Sequence, residues 1–403
     1  MVVGSDEILG ETEPQEYRIL QVFSILGMGG AETWLMALLR YLDRTKRDLP
    51  YRVQIDICLT GGGKGVFDDE AASLGAKLFY LNYRRSKLPN FVIEFRSILA
   101  KGRYHAIHDH QDYTAGLHFL FGIGYLPPVR IAHIHNPLIH LESYYTSYMR
   151  RITAQVGKRL LARTATHITG TSRQIISEYG FDESVFNRVN RRAIHCGFDV
   201  TKFLGDYDMV HNEICHEFRW EKTAKIILFV GRLNSNLNQK NPGFALEVAK
   251  ACIGKDPDVR LLLVGDGMDV KVELENKVSL WDLQDSIKLL GPRSDVPRLM
   301  SGSNLFLFPS VGEGLGMVAV EAQATGLRVL ASDAVPSECE AVPGMVVFKP
   351  LDAGPSAWAE EALRLLELTR PDLSACNAMV RSGPFSIENS AASLLNIYTG
   401  QDS

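Results

Sequence analysis

Two glutamates, Glu313 and Glu321, stand with seven residues between them in the stretch Pro309–Gly326, PSVGEGLGMVAVEAQATG. The apolar run before it, Asn304 to Phe308, reads as a buried strand that Pro309 and Ser310 terminate. Gly312, Gly314 and Gly316 make the following turn flexible, and Met317–Ala324, free of Gly and Pro, reads as a helix. A strand, a Gly-rich turn and a helix together aim several backbone N–H groups, here those of Gly314, Leu315 and Gly316, at one point. Glu313 beside that point can accept hydrogen bonds from sugar hydroxyls, and Glu321 on the helix can reach a second diol such as a ribose. The competing reading is an acidic, solvated helix face behind a Gly-rich connection.

Two cations occupy a comparable place upstream. Lys225–Val230 is a strong apolar strand ending in Gly231-Arg232-Leu233, and Lys240-Asn-Pro-Gly opens a helix through Ala251. Arg offers a planar fork and Lys a mobile point charge, a pairing that suits a diphosphate. Seven residues separate them, and the insert Asn234–Gln239 is polar. A further Gly-rich turn, Gly27-Met-Gly29-Gly30-Ala-Glu32, follows the strand Arg18–Ser24 and opens a helix over Thr33–Leu42. It lacks the G-x-G-x-x-G spacing of a dinucleotide site, which disfavours NAD. Two H-x-H pairs end strands, His108 with His110 and His133 with His135. Residues at i and i+2 share a strand face, so either pair can ligate a metal. No carboxylate or Cys completes a set at ligand spacing, so no metal is expected, and a polar rim of satisfied histidines competes with that reading.

The elements that must position these groups alternate. Strands at Arg52–Leu59, Ala76–Leu81, Ala106–His110 and Ala165–Ser172 interleave with helices at Val66–Leu74, Phe91–Ala100 and Tyr144–Arg163. That order predicts a parallel sheet with helices on both faces and ligands at the strands' C-terminal ends. Thr201–Thr223 reads as a polar connection, and the spacing of its His211, Cys215 and His216 matches no ligand set. Val259–Val264, Ser286–Leu290 and Arg328–Ser332 then read as strands, Trp358–Leu368 as a helix, and Phe385–Tyr398 as a last amphipathic segment.

The chain has 403 residues, enough for two domains with a large core each. No apolar run approaches the roughly 18 residues that span a bilayer. Met1–Glu16 is acidic and reads as a disordered tail rather than a signal peptide. Six scattered Cys without a C-x-x-C pair suggest reduced thiols and a cytoplasmic protein. Residues 17–202 carry a net charge of +10 and residues 203–403 a net charge of −9. The basic half holds Arg84, Arg85 and Lys87 in a loop and Arg150, Arg151, Lys158, Arg159 and Arg163 on one helix. No aromatic-basic stripe or known motif points to nucleic acid. An anionic membrane surface or a phosphate-bearing acceptor fits better, with a solvated face as the alternative.

The order of these motifs resembles the retaining glycosyltransferases of family 4, the group 1 glycosyltransferases, from about Arg18 to Tyr398. Within that family the chain is similar to bacterial exopolysaccharide and capsule enzymes. The resemblance implies an α/β protein of the GT-B fold, two Rossmann-like domains facing across a cleft. It divides the chain into an acceptor-side domain over 17–200, a nucleotide-sugar domain over 201–384, and a segment 385–403 that packs back on the first domain. It implies transfer of a sugar from a UDP- or GDP-linked donor to a sugar or lipid-linked sugar acceptor, without a cofactor. It carries roles to Gly29 and Gly30 at the cleft, to His135 near the reacting bond with His133 and His110 as second choices, and to Arg232 and Lys240 on the diphosphate. In relatives the loops at Gly265 and Leu290 hold the nucleoside, and Glu321 binds its ribose. Cys196 departs from the family's usual Asn. A nucleotide-sugar 2-epimerase and a non-catalytic nucleotide-sugar-binding protein are the rival readings.

Overall fold

A computed structural model describes residues 14–139, 148–233 and 239–401. Most of the acidic tail, the first residues of the basic helix and most of the Asn234–Gln239 insert lie outside them. The first half builds strands β1 (Glu16–Phe23), β2 (Arg52–Leu59), β3 (Lys77–Tyr80), β4 (Ala106–Asp109), β5 (Val129–Ile134), β6 (His167–Gly170) and β7 (Asn190–Ala193). They form one sheet in the order β3-β2-β1-β4-β5-β6-β7, with neighbours parallel throughout. Its helices are α1 (Gly30–Thr45), α2 (Asp68–Ser73), α3 (Leu88–Gly102), α4 (Thr114–Gly122), α5 (Tyr148–Thr164) and α6 (Arg173–Glu178). β1 ends in five consecutive buried residues and β4 is buried throughout. That is the pattern of strands covered on both faces.

The second half repeats the plan with β8 (Lys225–Val230), β9 (Val259–Val264), β10 (Ile287–Gly291), β11 (Leu305–Phe308), β12 (Val329–Ser332) and β13 (Val346–Lys349), ordered β10-β9-β8-β11-β12-β13. Around it pack α7 (Tyr207–Phe218), α8 (Pro242–Ile253), α9 (Met268–Leu280), α10 (Val296–Gly302), α11 (Met317–Ala324), α12 (Gly354–Leu366) and α13 (Leu373–Ser382). In each sheet the first strand of the half sits centrally and the order reverses beside it. This is the two-Rossmann GT-B arrangement.

One stretch differs from the sequence expectation. Thr201–Thr223 contains α7, a helix of 12 residues, where a polar connection is expected. Asp206 caps it by accepting from the Met209 N–H. Val210 and Ile214, four apart, bury one stripe. The His211 ring is engaged on both nitrogens, Nδ1 with the Gly302 carbonyl at 2.8 Å and Nε2 with the Cys215 thiol at 3.5 Å. A narrow apolar stripe interrupted by a buried histidine is what hides this helix from a periodicity reading.

The chain passes between the halves at 196–200 and returns at 383–387. The two passages are bonded side by side: the Phe198 N–H donates to the Phe385 carbonyl at 3.0 Å, and the Ile387 N–H to the Phe198 carbonyl at 3.0 Å. The last helix, α14 (Ile387–Tyr398), then packs in the first half's core with Trp34, Leu35 and Leu39 of α1. Ser390 ties it down, accepting from Trp34 Nε1 at 3.0 Å and donating to the His195 carbonyl at 2.8 Å.

Candidate functional site

The second half brings Lys240 and Glu313 together. Lys240 Nζ lies 2.6 Å from Glu313 Oε1, with the two side chains 17% and 7% exposed. The loop before α8 is held to the loop after β11: the Val311 N–H donates to the Gln239 carbonyl at 2.8 Å, and the Gln239 amide to the Gly312 carbonyl at 3.0 Å. The Lys240 stem crosses Gly231, where a Cβ would sit 2.8 Å from it. Its ammonium stands 5.0 Å from the centre of the Phe308 ring. Arg232 is exposed and makes no ion pair among the described residues. Glu321, on α11, has its carboxyl pushed up to about 7 by burial, with the Lys240 charge pulling the other way.

Gly265 and Gly267 have a packing reason to be glycines. A Cβ on Gly265 would collide with the Gly231 carbonyl, and one on Gly267 with that of Leu233. The strand-end loops are bonded at this close approach, Gly231 to Val264, Leu233 to Asp266 and Gly265 to Gly291. Leu290 is partly buried at the edge of the same core.

The Gly-rich loop is buried against the first half. A Cβ on Gly314 would collide with the His135 carbonyl oxygen, and one on Gly312 would lie 2.9 Å from Ile139. Gly316, at φ +88°, is the left-handed residue from which α11 starts. Among the described residues the N–H groups of Gly314, Leu315 and Gly316 have no hydrogen-bond partner. The Leu315 side chain is 2% exposed and sits in the core, so only its backbone can serve a ligand.

His135 meets that loop from the other side. Asp112, at φ 48°, accepts from the His135 N–H at 3.1 Å and from Asn136 Nδ2 at 3.0 Å. Burial pushes the Asp112 carboxyl up to about 6. The His135 ring bonds through Nε2 to His110 Nδ1 at 2.8 Å. The four histidines do not form a polar rim: His108 and His133 are fully buried and His110 nearly so. The rings pack on one another instead, His133 stacked on His135 with centres 4.2 Å apart and His108 tilted against His110 at 4.1 Å. Desolvation holds His108, His110 and His133 well below the usual imidazole range and His135 at about 3. All four are neutral at pH 7. Among the described residues, His108, His110 and His133 each bring a ring nitrogen within 4.8 Å of the others, a spacing at which three ligands can hold a metal ion, which the H-x-H spacing alone did not complete.

At the other edge, Gly29 is the N-cap of α1 and Gly30 its first residue. A Cβ on Gly29 would collide with the Glu32 carboxylate, while one on Gly30 would meet nothing. Glu32 is a residue the sequence reading missed. Burial raises its pKa, against the opposing pull of a backbone hydrogen bond and of the Arg232 charge. An acid in the first turn after a Gly-rich loop was the available signal. Asp112 was missed too, because its value lies in a left-handed turn that no spacing announces.

Two family profiles match the chain. Residues 28–202 match Glycosyltransferase Family 4 and residues 224–368 match Glycosyl transferases group 1. The chain belongs to the family 4, group 1 glycosyltransferases. EpsF of Bacillus subtilis (strain 168), named as a glycosyltransferase, is 28% identical over 94% of this chain and 96% of its own length. The capsular polysaccharide biosynthesis glycosyltransferase CapH of Staphylococcus aureus is 24% identical over 78% of this chain and 81% of its own. Among solved structures, Anabaena HepE in complex with UDP and glucose superposes with a TM-score of 0.73 at 18% identity, covering 95% of this chain and all of that one. That likeness shows the GT-B fold. This glycosyltransferase is thus related to exopolysaccharide and capsule enzymes, and its motifs sit at the strand ends where the two halves meet.

Proposed function

We propose that this glycosyltransferase moves a hexose from a nucleotide-diphosphate donor to a hydroxyl acceptor with retention of configuration. The observation that carries the reading is the Lys240–Glu313 pair at 2.6 Å, set under unpartnered loop N–H groups. Exposed Arg232, Lys240 and the N–H groups of Gly314–Gly316 form a cationic cradle at the ends of β8 and β11. Such donors stabilise charge that builds on a departing diphosphate. HepE, which shares the fold, binds UDP and glucose, and this supports a uridine-linked donor.

In this reading Glu321 accepts from the ribose diol and Glu313 from hydroxyls of the transferred sugar. The Gly265 and Leu290 loops border the nucleoside. As the bond from the anomeric carbon to the diphosphate breaks, the acceptor oxygen attacks on the same face. Its proton passes to the leaving phosphate oxygen, so no protein nucleophile is needed. His135, Gly29 and Gly30 approach from the acceptor side. No metal or cofactor enters the scheme.

The acceptor is a sugar or lipid-linked sugar, reached by reversible docking on an anionic membrane from the cytoplasmic side. Among the described residues no helix is long and apolar enough to cross a membrane. On α5, however, Tyr148, Met149, Ile152 and Val156 are exposed beside Arg150, Arg151 and Arg159. Exposed apolar and basic groups on one helix suit a lipid interface. The test of the core reading is a thermal-shift and turnover screen against a panel of nucleotide sugars. A true donor at 100 times its dissociation constant raises stability by about 2.7 kcal/mol. If no panel member stabilises the protein or loses its sugar, the reading fails.

A further inference from the structure

The imidazole stack is one end of a longer hydrogen-bonded chain. His135 Nε2 meets His110 Nδ1 at 2.8 Å, and His110 Nε2 meets Gln21 Oε1 at 2.8 Å. Gln21 Nε2 donates to Tyr398 Oη at 2.9 Å. Tyr398 Oη lies 2.6 Å from His108 Nδ1, and His108 Nε2 lies 3.1 Å from His133 Nδ1. His133 Nε2 is buried without a hydrogen-bond partner.

Each neutral imidazole has one N–H and one lone pair, so a single fixed direction propagates along such a chain. The Gln21 carbonyl oxygen accepts, so His110 Nε2 carries a proton and His110 Nδ1 is an acceptor. His135 must then donate through Nε2. On the other arm Tyr398 accepts from Gln21 and gives its own proton to His108 Nδ1. His108 then donates through Nε2 to His133 Nδ1, which leaves the His133 proton on its unpartnered Nε2. The direction follows from the Gln21 amide, whose oxygen faces His110 and whose nitrogen faces Tyr398.

Every internal nitrogen but His133 Nε2 is thereby engaged, and His135 Nδ1 is left as a lone pair on a partly exposed residue whose carbonyl abuts Gly314. We propose that Gln21 and Tyr398 are positioning residues that set the tautomer of His135, so that the cleft presents a hydrogen-bond acceptor there and selects a hydroxyl of the sugar. The significance for catalysis rests on the reading of His135 as a cleft residue, whereas the tautomer itself does not.

The test is long-range proton–nitrogen correlation of the histidine side chains in the full-length, ligand-free protein at pH 7, so failure of the glycosyl-transfer reading leaves it intact. The expected pattern is Nε2–H on His108, His110, His133 and His135. A uniform Nδ1–H pattern, or a His135 already mixed, overturns the proposal. In Tyr398→Phe the ring remains but the Gln21 amide loses the acceptor that orients it, so His135 falls from wholly to about half Nε2–H. Gln21→Leu, which cuts the chain one bond nearer, produces the same mixing should the first variant fold poorly. A His135 signal unchanged in both variants overturns the relay. So does a stoichiometric shift of these signals on titration with Zn²⁺ alone, because the rings would then be organised by a metal.

Discussion

The two halves hold their share of the cleft in opposite ways. In the first half the four histidines are neutral and hydrogen-bonded to one another or to Gln21 and Tyr398. In the second the side chains are charged: Lys240 and Glu313 neutralise each other, and exposed Arg232 makes no ion pair among the described residues. The neutral stack has little to rearrange when a ligand arrives. In the proposed scheme the ion pair opens or is shared, because there a diphosphate competes for Lys240 and sugar hydroxyls compete for Glu313. One half is set before binding and the other is completed by it.

Acid separates the halves most sharply. The folded pKa values of the four histidines are depressed, so below about pH 6.5 the unfolded chain binds protons that the folded chain refuses. Their stability is present above that pH and is lost as pH falls, by about 1.4 kcal/mol per histidine per pH unit. Asp112 and Glu321, raised to about 6 and about 7, act in the opposite sense: the folded protein holds their protons longer, so their contribution falls as pH rises. The histidines outnumber them. Calorimetry between pH 6.5 and 4.5 should show Tm falling, with a net loss on the order of several kcal/mol, and the double substitution His108→Gln, His133→Gln should flatten the slope. A Tm that holds steady in the parent protein would erase the contrast.

Activity probes the charged half. Arg232→Ala and Lys240→Ala should each lower kcat/KM by about a hundredfold or more, as loss of a charge partner to the transition state does. Lys240→Ala also leaves Glu313 buried without its cation, so its Tm should fall more than that of Arg232→Ala. Equal Tm values would mean that the pair adds no stability.

Much of the second half was legible in the sequence. β8 and β9 lie on the residues expected, because each carries at least four consecutive apolar residues with a Gly just beyond them. The Gly-rich loop, Glu313 and the start of α11 were legible because strand, turn and helix follow one another locally. What depends on long separation was not. Lys240 and Glu313 are 73 positions apart, and Tyr398 meets His108 across 290. An H-x-H pair fixes which strand face a histidine occupies, but not that β4 and β5 lie side by side and bring two such pairs into one stack. Leu315 was placed at the ligand by its position in the loop, whereas its side chain turned to the core.

Smaller effects sharpen the comparison within the charged half. Glu321→Ala should weaken binding of the bare nucleoside diphosphate about tenfold, as loss of a charged hydrogen-bond partner does, while Glu313→Ala leaves it nearly unchanged and damages use of the intact donor. Calorimetry on both variants decides the division of roles, and equal losses would remove it. Since the Glu321 carboxyl sits at about 7 and must be ionised to accept from both ribose hydroxyls, nucleotide affinity should rise with pH through neutrality more steeply than in Glu321→Gln. The smallest effect is at the lipid surface. Replacing Arg150 or Arg151 by Gln should weaken sedimentation with anionic vesicles by about fivefold each, near 1 kcal/mol per charge. Binding indifferent to salt and lipid charge would make α5 an ordinary solvated helix.

The paired passages at Phe198 and Phe385–Ile387 have a mechanical consequence. A single strand between two bodies permits them to swing about any axis and to twist. Two strands bonded side by side, one continuing into a helix anchored by Ser390, act as a two-leaved hinge with one soft rotation. Any relative movement of the halves is then confined to a single path, which leaves few orientational degrees of freedom to be lost on closure.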